Sequence, residues 1–175
     1  MAEFFPEDRA ASTPRGPLHS IREDVHIHAP YSVVRSRLVA TERHREWLAE
    51  HFRDYEPRAG GLAFTLALPG RTEGGRLRVD ESDPFGVRYL RDDSATRPGN
   101  GRVRGEIEEI AWALHVETAQ DVHLTVEAVY EPRRGLLGPL LEMVVLRPQR
   151  IQALRESIWN LKQVIEREYP RQPIF

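Results

Sequence analysis

The sequence predicts an α+β domain in the order β-α-α-β6-α: an antiparallel sheet of about seven strands covered by one long C-terminal helix. Three observations carry that prediction. From residue 52, apolar residues recur at every second position in short runs, broken by the turn-forming stretches PGRTEGG, SDPFG and SATRPGNG. From about residue 137 the apolar period lengthens to three or four. Ahead of both, residues 21–48 read as one strand followed by two short helices. Connections this short between period-two runs imply antiparallel neighbours.

Each element has its own justification. In IREDVHIH (21–28), Ile21, Val25 and Ile27 share one face, with Glu23 as the exception, while Arg22, Asp24, His26 and His28 share the other. Pro30 supplies the fixed φ of a first helical turn, and Val33, Val34 and Leu38 follow at helical spacing. Thr41 and Glu42 restart a second short helix carrying Trp47 and Leu48. In the meander, GLAFTLALPG (61–70) aligns Leu62, Phe64, Leu66 and Leu68. The run GRLRVDESD (75–83) aligns Leu77, Val79 and Glu81, and GVRYLRDD (86–93) aligns Val87, Tyr89 and Arg91.

The last two strands fix their own register. In EIAWALHVE (109–117) the apolar face is Ile110, Trp112, Leu114 and Val116; in DVHLTVEAVYEP (121–132) it is Val122, Leu124, Val126, Ala128 and Tyr130. A slip of one residue turns every side chain over, so paired numbers must sum to an even value. Pairing Val116 with Val122 across a turn at 118–120 satisfies this, and sets Leu114 against Leu124 and Trp112 against Val126. After RRGLLG, the residues Leu140, Leu141, Val144, Ile151, Leu154, Ile158, Leu161 and Ile165 form one helical stripe, about 50 Å long if unbroken. Pro148 should kink or divide it.

Composition narrows the function classes. The 175 residues fit one ordinary domain, expected over 21–168, with a flexible N-terminal tail over 1–20 and a short C-terminal tail over 169–175. A net charge of −2 leaves no positive field to gather nucleic acid. The absence of cysteine excludes disulfides, thiolate nucleophiles and Cys-based zinc sites. Lys162 is the sole lysine, so a Schiff base would rest on it or on the N-terminus. The first 20 residues have no basic start followed by an apolar stretch, and LLGPLLEMVVL, broken by Glu142, is short of a membrane span, so a cytoplasmic location is expected.

The stretches VHIHAPYSVVRSRLVATERHREWL (25–48), EIAWALHVE with VHLTVEAVYEP, and GLLGPLLEMVVLRPQRIQALRESIWNLKQVIE (135–166) resemble the START-like, or SRPBCC, superfamily of polyketide cyclases/dehydrases and lipid-transport proteins. That superfamily includes pollen-allergen-like and coenzyme-Q-binding proteins. The likeness covers nearly all of 21–168 and implies a helix-grip fold, in which a curved sheet wraps around the long helix and leaves room for a hydrophobic ligand. The implied lining is Phe64, Leu66, Tyr89, Trp112, Leu114, Val126 and Tyr130 from the sheet, with Met143, Val144 and Ile151 from the helix. Such apolar walls with a few amphipathic aromatics suit a small-molecule site. Glu81 and Arg91 alternate inward among apolar neighbours, where a charge must be paired, and adjacent strands would let them meet as a polar anchor.

Three functions are compatible with this reading: a protein that binds or transports a lipid, quinone or polyketide; a cofactor-independent cyclase/aromatase or dehydratase; or an interaction module with a packed core. In the second, the acid/base candidates are Tyr89, Arg91, Tyr130 and Glu81. The expected partner is a hydrophobic small molecule, with no nucleic acid, no membrane span and a weak homodimer left open; no cofactor or metal is expected. His26 and His28, with His115 opposite His123, would gather on the outer face of the sheet, but no HExxH spacing accompanies them and the expectation is a solvated polar face. GNGRVRG (99–105) lacks the spacing of a phosphate loop and reads as a turn. PGRTEGG and SATRPGNG are candidate lids over the rim.

Overall fold

A computed structural model describes residues 18–92, 107–132 and 135–170. Residues 1–17 of the tail expected over 1–20, the SATRPGNG lid and the GNGRVRG turn lie outside these residues, while His19 and Ser20 of that tail open the first strand. Strand β1 (His19–Ile27) leads into helix α1 (Tyr31–Val39) and a 3-10 turn (Thr41–Glu46). The meander follows: β2 (Phe52–Arg58), β3 (Gly61–Leu68), β4 (Arg71–Asp80), β5 (Gly86–Arg91), β6 (Ile107–Thr118) and β7 (Asp121–Tyr130). All seven strands form one antiparallel sheet in the order β1-β7-β6-β5-β4-β3-β2. The chain continues into α2 (Gly138–Leu141), a π-helical turn (Glu142–Leu146) and α3 (Arg147–Glu168), consecutive segments of one long helix. No described helix is long and apolar enough to cross a membrane.

The hairpin parity argument holds residue by residue. Val116 pairs with Val122, Leu114 with Leu124 and Trp112 with Val126; Ile110, Trp112 and Leu114 are buried, while a shift at the start of β6 sets Ile107 opposite Tyr130 and Val116 is exposed near the turn. Glu23, the misfit on β1, is explained by α3: Arg155 crosses from the helix and binds its carboxylate at 2.9 and 3.0 Å. The second short helix is tighter than expected, and Trp47 follows it, fully buried.

Two expectations are corrected. PGRTEGG is no lid: Pro69 and Gly70 (φ 67°) alone make the turn, as positions i+1 and i+2 of a type II turn would, and residues 71–75 already belong to β4. Pro148 neither divides nor ends the helix. It cannot donate to the carbonyl four residues back, and the π turn just before it takes up the mismatch, with Arg147 N–H bonded to the Glu142 carbonyl.

The core lies between the concave face of the sheet and the helix. Ile158, Leu161 and Ile165 of α3 are buried, as are Val25 and Ile27 of β1 and Leu124 and Val126 of β7. Ser157, also buried, ties the helix to the loop after the 3-10 turn by accepting from Ala49 N–H and donating to the Ala153 carbonyl. At Gly75 an added Cβ would sit 2.6 Å from the Phe64 ring, so glycine lets that ring lie across its cross-strand partner and against Phe52.

Candidate functional site

The interior contains a cluster of formal charges at the N-terminal end of the long helix. Arg150 is buried; its Nε donates to Glu73 at 3.0 Å, its Nη2 reaches the same carboxylate, and its Nη1 reaches Glu142. Glu73 comes from the concave face of β4 and Glu142 from the π turn, so the cluster joins sheet to helix. Arg71 stands 3.2 Å from Glu73 on its outer side. The Tyr130 ring lies 4.1 Å from the Arg150 guanidinium carbon, a cation-π contact. The Tyr130 hydroxyl, beside a Glu142 already turned to Arg150, has no aligned hydrogen-bond partner among the described residues. Burial, then the Glu142 charge, raises its pKa, so it stays protonated and able to donate.

The expected site residues separate into two groups. Phe64, Leu66, Tyr89, Trp112, Leu114, Val126 and Tyr130 are all buried on the concave face, and Ile151 packs against them from the helix. Met143 and Val144 do not join them: they are 65% and 59% exposed. The helix face turned inward runs through Glu142, Leu146, Arg150, Ala153, Leu154 and Ser157, which leaves Met143 and Val144, with Leu140, on the solvent side. Glu81 and Arg91 do not meet. The pairing of β4 with β5 stops at Asp80 and Arg88, so Glu81 falls outside the sheet, exposed, 3.5 Å from Arg35, while Arg91 binds Glu108 on an irregularity of β6 at 2.5 Å.

Tyr89 is held for structural work. Its hydroxyl donates to the Leu38 carbonyl at 2.5 Å, beside His44, whose Nε2 binds the same carbonyl at 2.8 Å. Tyr55 closes the group on His44 Nδ1 and the Thr41 carbonyl. Desolvation holds His44 neutral, its pKa pushed down to about 4, and raises Tyr89 well above the usual phenol range.

The arrangement can be compared with known proteins. No protein-family model and no curated protein matches the chain. Solved structures do. A protein from Thermus thermophilus is 14% identical with a TM-score of 0.66, over 86% of this chain and 99% of that one. A START superfamily protein from Mycobacterium smegmatis is 12% identical with a TM-score of 0.63, over 86% and 99%. The fold is START-like. An aromatase/cyclase from a Streptomyces species also matches, at 13% identity and a TM-score of 0.63, over 87% and 96%. At these identities the likeness concerns the START-like fold alone.

Within that fold the charged cluster joins β4 to the N-terminal end of the long helix. An open groove of about 700 Å³ along α1, between Tyr31 and Glu42, lies on the outside and contains none of the buried charges. Two more polar groups face inward. The indole N–H groups of Trp47 and Trp112, whose rings meet edge to face at 5.8 Å, are buried without a hydrogen-bond partner among the described residues.

Sequence reasoning missed Glu73, Glu142 and Arg150, yet each left a signal. The Pro69-Gly70 pair marks a two-residue turn, which starts β4 at Arg71 and puts Glu73 in phase with Leu77. Counting backwards along the helix from Ile165 through Leu161, Ile158 and Leu154 by three or four reaches Arg150, Leu146 and Glu142. A search for apolar residues alone preferred Val144 and Leu140.

Proposed function

We propose that the protein binds a hydrophobic small molecule bearing a polar group, such as a lipid, quinone or polyketide, in the interior between sheet and helix. The observation that supports this reading is the buried Glu73–Arg150–Glu142 cluster. Removing charges from water costs several kcal/mol per ion, and apolar residues of the same volume often stabilise a core as well or better. The cluster therefore fits a recognition role better than a packing role. Phe64, Leu66 and Leu114 would supply apolar wall, and the unpartnered N–H groups of Trp47 and Trp112 would donate to ligand oxygens.

The test is native mass spectrometry of the purified protein, with extraction and identification of what leaves it. A stoichiometric apolar passenger, or a rise in melting temperature with a fatty acid, quinone or aromatic polyketide, is the expected result. Bare polypeptide that no member of that panel stabilises would reject the reading in favour of an interaction module. A second reading, a cyclase or dehydratase, is favoured by the protonated Tyr130 hydroxyl beside the Glu142 carboxylate and the Arg150 guanidinium. It requires that Tyr130→Phe retain binding and lose turnover.

A further inference from the structure

On the convex face, opposite the interior, two histidines from neighbouring strands approach head to head. His26 of β1 and His123 of β7 are register partners; their rings lie 4.5 Å apart, and His26 Nε2 stands 3.1 Å from His123 Nδ1. The far nitrogen of each ring faces a carboxylate. His26 Nδ1 is 3.1 Å from Glu117 Oε2 and His123 Nε2 is 3.5 Å from Asp24 Oδ2. The sequence is thus carboxylate, imidazole, imidazole, carboxylate, with three contacts in a row.

Proton counting shows what the row lacks. Each contact needs one hydrogen or one cation between its two electron-rich atoms. Two neutral imidazoles bring one N–H each, which serves two contacts of the three. If both N–H groups turn to the carboxylates, the favoured arrangement for charge-assisted bonds, two lone pairs face each other at 3.1 Å. If one turns inward, a lone pair faces a carboxylate. One more proton, or a cation between the rings, resolves the mismatch; a cation there would make Glu117 and Asp24 the outer partners that orient metal-bound histidines.

We propose that His26 and His123 are the nitrogen ligands of a divalent transition-metal site, of which zinc is the probe ion. With bonds of about 2.1 Å, nitrogens 3.1 Å apart subtend about 95° at a metal, near the angle between adjacent ligands of a four- to six-coordinate ion. Glu117, whose oxygen lies with one ring nitrogen of each histidine in a set mutually within 4.8 Å, keeps a carboxylate charge beside the ion as an outer partner. Imidazole with carboxylate suits zinc and its neighbours rather than calcium or magnesium. His115, opposite His123 on β6, is exposed beside the pair; His28 is engaged by Asp121 at 2.6 Å, and Lys162 by the His26 carbonyl and Glu166. Bound metal would pin edge strand β1 to β7.

The test is calorimetric titration of zinc into tag-free, chelator-stripped full-length protein. One ion per chain is expected, with binding lost in His26→Ala and His123→Ala, weakened about 10- to 100-fold in Glu117→Gln and Asp24→Asn, and retained in His115→Ala. Zinc should also raise the melting temperature of the wild type but not of the two alanine variants. Equal zinc affinity in the wild type and the His26→Ala/His123→Ala double variant would overturn the proposal, as would binding that follows His115 or His28 instead.

Discussion

The two ends of the C-terminal helix bury opposite kinds of side chain. Along α3 the inward positions from Ala153 to Ile165 are apolar except Ser157, and the outward ones include Arg155, Gln163 and Arg167. Around the π turn the order is reversed: Glu142 and Arg150 face in, while Leu136, Leu137, Leu140, Met143 and Val144 face out. The C-terminal part does what stability asks of an amphipathic helix. The N-terminal part exposes apolar surface and buries charge, and its departure coincides with the one irregular turn in the helix. On the proposed function, the C-terminal part of the helix holds the fold and the N-terminal part is the one that meets the ligand.

Mutations can break this comparison at either end, and the charged end should break hardest. Arg150→Met removes the cation that joins Glu73 to Glu142, with Arg71 still beside Glu73, and should cost about 3–5 kcal/mol in urea unfolding. Leu161→Ala, at the apolar end, opens a cavity among fully buried neighbours and should cost about 2–5 kcal/mol by the same measurement.

The buried imidazole of His44 sharpens the contrast because burial keeps it neutral. Its pKa in the folded protein is about 4, below the ordinary value of about 6.5, so the unfolded chain binds more protons between the two. The stability it contributes is complete above pH 6.5 and declines as pH falls toward 4, by about 3 kcal/mol in all. Unfolding followed across that window should show the decline, and His44→Gln should flatten it. At the small end, Met143→Ser and Val144→Thr should change stability by less than about 0.5 kcal/mol, since both side chains already stand in water. A large loss in either would mean that the outer apolar face is packed against something in solution.

The pattern of legibility follows the same division. Where one face is apolar and the period regular, as in β6 and β7, parity set the register down to Trp112 against Val126, although Val116, near the turn, is 47% exposed. Where the molecule buries charge, the rule that apolar residues point inward chose Met143 and Val144 over Glu142 and Leu146. Glu81 failed for a different reason. Its place depends on where β4 stops, and that is set by side chains capping the following turn: Asp80 on Ser82 N–H at 3.0 Å and Asp83 on Phe85 N–H at 2.8 Å. Periodicity carries no information on a strand's last residue.

The claim that the charged cluster serves recognition is tested most directly by the thermal unfolding midpoint of the ligand-stripped triple variant Glu73→Leu/Glu142→Leu/Arg150→Met. Replacing the whole cluster leaves no buried charge unpaired, and Arg71, at 17% exposure, can turn to solvent. The account predicts a midpoint equal to or above that of the stripped wild type. A midpoint well below it would show that the cluster holds the fold together, and the case for a ligand anchor would fail.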